Sequence, residues 1–115
     1  GKAAAQSAHA SMAALTCGPG AGIREVDGKP ELVIQLDDES YAWLTGNFRK
    51  ICVYVKSEAE LLSVYEKALA AGLRCSLIQD SGLTEFNGVP TYTAVAIGPH
   101  SNEKIDGITG GLPLL

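Results

Sequence analysis

Two short stretches of this chain carry residue types that could do chemistry together. The first is Gly1-Lys2-Ala3-Ala4-Ala5-Gln6-Ser7-Ala8-His9-Ala10. Lys2, Gln6 and His9 stand at i, i+4 and i+7, so a helix over these residues places all three along one face. A lysine at a helix N-terminus, beside unpaired N–H groups and the positive end of the dipole, suits an anion or a developing oxyanion. The second stretch is Asp80-Ser81-Gly82-Leu83-Thr84-Glu85, where an apolar run gives way to a polar loop. In open α/β sheets ligands bind beyond the carboxyl ends of the strands. Physics alone leaves a plainer reading open, with a surface lysine, a helix-packing histidine and a turn aspartate.

The elements that must position these residues follow from local pattern. Residues 2–16 are alanine-rich with no β-branched residue before Thr16, which predicts a helix that Gly18-Pro19-Gly20 must end. Residues 20–36 read as an irregular segment or a hairpin, with Asp27-Gly28 as a turn signal between Ile23–Val26 and Leu32–Leu36. Asp37-Asp38-Glu39-Ser40 caps a short helix carrying Tyr41, Trp43 and Leu44. Residues 49–55 (RKICVYV) read as a strand buried on both faces. Ser57 and Glu60 form a capping box for a helix that stops at Gly72. Residues 73–78 and 91–97 supply two more strands, 79–90 a long loop, and 101–106 a helical turn. Strand, helix and strand over 49–78 imply a right-handed parallel crossover. The expected fold is therefore α/β: a three-layer α/β/α sandwich on a small mixed, mostly parallel sheet of about four strands. Trp43, Tyr54 and Tyr65 are expected in its core.

One domain is all that 115 residues and 12.0 kDa accommodate. The longest uncharged run, Ala3 to Ile23, is too polar and broken to span a bilayer and lacks the basic start of a secretory signal. Nine basic residues against 13 acidic ones give a net charge of −4, which argues against coating nucleic acid non-specifically. The charge is uneven: residues 18–47 carry −4 and residues 48–74 carry +2. Cys17, Cys52 and Cys75 have neither C-x-x-C spacing nor paired histidines, so no metal site or cofactor is expected. Cys52 and Cys75 read as buried reduced thiols, and the cytoplasm as the compartment.

At these same residues the chain resembles the type II peptidyl-tRNA hydrolases. Gly1 to Ala10 match the family's G-K-x-A-A-Q-x-x-H-A helix. Trp43 ahead of Arg49-Lys50-Ile51, Ser57–Leu61, and Ala71-Gly72-Leu73 match its middle. Asp80–Glu85, Thr91–Pro99 and Ile108-Thr109-Gly110 match the D-A-G-x-T-E loop, the T-x-T-x-x-A-I-G-P strand and the I-T-G ending. The resemblance implies hydrolysis of the ester joining a peptide to the 3′ end of tRNA, with peptidyl-tRNA as partner, no membrane, and a homodimer as one assembly an exposed sheet edge would invite. It implies Lys2, Asp80, Thr84 and Thr93 as catalytic groups. Gln6, His9, Ser81 and Gly82 are candidates for substrate contact. Asp80 could orient or deprotonate water, or hold Lys2; Lys2 could stabilise the oxyanion or meet phosphate; the threonines could position water or the carbonyl. No serine or cysteine has a convincing base partner, so direct attack by water is favoured over an acyl-enzyme.

The chain departs from the family pattern in four places. Ser81 replaces alanine, Leu83 replaces a basic residue, Gly111 and Pro113 replace a histidine and a lysine, and residues 18–36 read as an acidic insertion. Two further readings stay open on that account: a hydrolase of another small ester or amide, and a non-catalytic binding or regulatory module. The family's first strand lies ahead of the position that Gly1 occupies, so a further strand is expected upstream of residue 1.

Overall fold

The computed structural model describes residues 1–80 and 89–115. Within them the order is α1 (Lys2–Thr16), β1 (Ala21–Val26), β2 (Lys29–Ile34), α2 (Asp38–Thr45), α3 (Glu58–Ala70), β3 (Cys75–Asp80), β4 (Thr91–Ile97) and α4 (Asn102–Thr109). The α/β class and most element positions agree with the sequence reading. None of the helices of the described residues is long and apolar enough to cross a membrane.

The sheet does not agree. In place of one mostly parallel sheet, the strands form two separate two-stranded antiparallel sheets, β1–β2 and β3–β4. The error lies in residues 49–55. Their β-branched and aromatic composition favours extended backbone, but a ladder needs a partner strand. Among the described residues they pair with the C-terminal ones alone: Val53 makes one isolated antiparallel bridge to Leu114, Tyr54 N–H donates to the Pro113 carbonyl and Leu115 N–H to that of Cys52. With no pairing to β3 or β4, the parallel crossover does not form. Ile51 and Tyr54 consequently stand exposed, as does Cys52, while Trp43, Tyr65 and Cys75 are only partly buried. Burial raises the Cys75 thiol pKa above its ordinary value.

What positions the site is the packing of α1 on the β3–β4 pair. Ala10 meets Ile78 and Ala94, with Ala13 and Ala96 at the margin, and the small side chains let the helix lie close to the strands. α3 packs on the same two strands through its own part of the surface. β3 also holds α1 at its far end. The Arg74 guanidinium, just ahead of β3, donates to the carbonyls of Ala14, Leu15 and Pro19 at 3.2, 3.4 and 3.1 Å. The first two are carbonyls a helix C-terminus leaves unpaired, the third lies in the turn just beyond, and a cation there also suits the dipole. Gly18 makes room for it, since a Cβ at that position would lie 2.6 Å from Arg74 Nη1.

Local signals set the other boundaries. The β1–β2 hairpin turns at Asp27-Gly28 with φ of +51° and +76°, the left-handed pair of a type I′ turn. Ser57 Oγ accepts from Glu60 N–H at 3.1 Å, and Glu60 returns a contact to Lys56 N–H at 3.3 Å. Asp37 caps α2 by accepting from Ser40 N–H at 2.7 Å. Hydrogen bonding from Ser40 holds the Asp37 carboxyl below the usual carboxylate range. A depressed folded-state pKa gives stability that is present above the unfolded value, about 4, and is lost as pH falls through the folded one. Asp37→Ala should therefore cost about 1 kcal/mol at pH 7 in urea unfolding. The gap between variant and wild type should narrow below about pH 4; a gap unchanged down to pH 2 would refute the charged cap.

Candidate active site

Lys2 and Gln6 stand one turn apart on α1, and both reach the same oxygen. Lys2 Nζ lies 2.6 Å from Asp80 Oδ2, and Gln6 Nε2 donates to it at 3.1 Å. Asp80, the last residue of β3, is only 6% exposed, while the Lys2 side chain keeps 28% of its surface. A carboxylate this buried needs a partner of opposite charge, and α1 supplies one. The ammonium stays wet enough to face a ligand.

Beside this pair opens a cleft of about 280 Å³ lined by Lys2, Ala3, Gln6, Glu58, Thr91, Tyr92 and Thr93. Thr93 Oγ1 is buried and, among the described residues, has no hydrogen-bond partner. A buried hydroxyl left so costs about 1–3 kcal/mol, which a bound water or substrate oxygen would recover. The first turn of α1, which carries no acidic residue and no side-chain cap, borders the cleft and presents the positive end of its dipole there. A positive charge held by a carboxylate, a hydroxyl in want of a partner and helix N–H groups together suit an ester carbonyl whose oxygen becomes negative under attack.

Of the residues named from sequence, Lys2, Gln6, Asp80 and Thr93 come together here. His9 does not: it is exposed on α1 and takes no part in the cleft lining. Thr84, Ser81 and Gly82 lie outside the described residues. Among the described residues no cluster of three or more His, Cys, Asp or Glu could hold a metal ion.

Glu58, Thr91 and Tyr92 are cleft residues that the sequence reading did not place in the site; Glu58 figured there only in the opening of a capped helix. A signal was present. α3 has 13 residues and β3 has six, so each spans about 20 Å, and a short turn at Gly72 joins them antiparallel. The start of α3 must then return to the level of Asp80.

A family model described as "Peptidyl-tRNA hydrolase PTH2" matches residues 1–115. The peptidyl-tRNA hydrolase of Methanocaldococcus jannaschii is 42% identical over 115 residues, covering 100% of this chain and 87% of the relative. That of Aeropyrum pernix is 42% identical, covering 99% of this chain and 83% of the relative. That of Methanopyrus kandleri is 38% identical over 117 residues, covering 100% and 85%. With a family model matching its whole length and relatives 38% to 42% identical over nearly all of it, the chain belongs to the PTH2 family of peptidyl-tRNA hydrolases.

Proposed function

We propose that this protein hydrolyses the ester between a peptide and the 3′-terminal ribose of tRNA, by direct attack of water and in the cytoplasm. The observation that carries this reading is the Lys2–Asp80 pair, braced by Gln6 at the edge of a cleft, in a chain that belongs to this family. Water adds to the ester carbonyl carbon, and the carbonyl electrons move to oxygen, where the Lys2 ammonium offsets the new charge. Asp80 fixes that ammonium and orients the water. Thr93 hydrogen-bonds the water or the carbonyl. Collapse of the tetrahedral species expels the ribose oxygen, which takes up one proton of the attacking water, while the other passes to solvent as the peptide leaves as a carboxylate. Gln6 acts by holding Asp80. Thr84, Ser81 and Gly82 enter on the sequence resemblance alone. Ile23 and Leu32, exposed on facing positions of the hairpin, support self-association as a homodimer.

Release of free tRNA from an N-acetylaminoacyl-tRNA at low salt tests the reaction. The wild type should turn over, and Lys2→Ala should lose about 10²-fold or more in kcat/KM. A folded wild type that releases no tRNA would overturn the proposal.

A further inference from the structure

The charges around the cleft do not suit every part of the proposed substrate. Lys2 and Asp80 cancel, which leaves Glu58 as the unmatched charge among the described lining residues. It is the first residue of α3, exposed, and no ion pair reaches it among the described residues. A polyanion would be repelled by such a wall, and the 3′ end of a tRNA carries a phosphate in every nucleotide. An acyl chain carries none. Its amide N–H groups can donate to a carboxylate, and its side chains can be cationic.

We propose that Glu58 is a specificity-determining residue that lies beside the acyl end of the substrate and favours a basic over an acidic side chain next to the scissile ester. The assignment rests on the hydrolysis reading above and adds to it the orientation of the substrate: peptide toward α3, tRNA away from it. A change of two charge units on the substrate, about 6 Å from one carboxylate in a water-filled cleft, corresponds to roughly tenfold in rate.

The test uses one tRNA body charged with either Nα-acetyl-lysine or Nα-acetyl-glutamate and reads the ratio of their kcat/KM values. The wild type should favour the lysyl substrate by about tenfold. Glu58→Gln should bring the ratio near one, and Glu58→Lys should invert it, with the wild-type and Glu58→Lys ratios both moving toward one in high salt. A ratio that stays the same in both variants overturns the assignment. So does an equal acceleration of both substrates in Glu58→Gln, because that is the signature of relieved repulsion of tRNA phosphate at this wall. If the wild type cleaves neither substrate, the hydrolysis reading falls and this proposal falls with it; if it cleaves both at one unchanging ratio, only the role of Glu58 falls.

Discussion

Asp80→Asn should lower tRNA release by about 10²-fold or more while leaving the fold standing. Asparagine keeps the shape of the side chain and an oxygen for Lys2, so the geometry of the end of β3 survives. What goes is the negative charge 2.6 Å from the ammonium. Lys2 then has less reason to stay at the cleft, and its partly exposed side chain can swing into water. Because the lysine can rehydrate, the stability loss should be only about 1 kcal/mol, below the 3–5 kcal/mol expected when a fully buried pair is broken. Single-turnover kinetics beside a urea melt separate the two effects. The double variant Lys2→Ala with Asp80→Asn should be no slower than the worse single one, as for groups that act as a unit. An Asp80→Asn enzyme within threefold of the wild type would remove the pair from the mechanism.

The second large effect is on packing. Ala10 is 1% exposed, wedged between α1 and the β3–β4 pair against Ile78 and Ala94. Ala10→Leu adds three carbons where none fit, and overpacking of this kind costs about 3 kcal/mol. Domains of this size are stable by only about 5–15 kcal/mol, so the melting temperature should fall by about 10 °C. Relief requires α1 to lift from the strands, and that movement draws Lys2 and Gln6 away from Asp80. Activity measured well below the melting temperature should therefore fall too. A variant that melts within 2 °C of the wild type would show that the interface has slack.

The helices and the hairpin were legible because their signals are local. An alanine run, an Asp-Gly turn and Ser57 with Glu60 each act within a few residues, and each element stands where its signal put it. Residues 49–55 carry an equally clear composition, yet whether a strand joins a sheet depends on what lies alongside, and sequence periodicity is silent on that. The same limit explains the aromatic residues. Trp43 donates from Nε1 to the Arg49 carbonyl at 2.7 Å and stacks near Phe48 with ring centroids 4.7 Å apart, while Lys50 lies over the Phe48 ring. That local knot keeps the tryptophan half-buried near the surface, where composition had sent it to the core. In the site, the i, i+4 spacing of Lys2 and Gln6 foretold a shared face, and Asp80 at a strand end foretold its place. Glu58 was missed because its part depends on matching the length of a helix to that of a strand.

β3 and the residue just ahead of it grip α1 at two points, with Arg74 on the last carbonyls and Asp80 on the first turn. The span from one grip to the other is that of the helix itself, about 20 Å. One consequence concerns how the family can vary. The Arg74 guanidinium also takes the Pro19 carbonyl, and the chain leaves for the hairpin just beyond it. The hairpin thus meets α1 through that guanidinium and also beside Leu15, which shares an apolar pocket with Leu32 and Ile34. A substitution in the hairpin should therefore bear first on the last turn of α1, at the end of the helix remote from Lys2, so that residues 20–36 can vary while the first turn keeps its place.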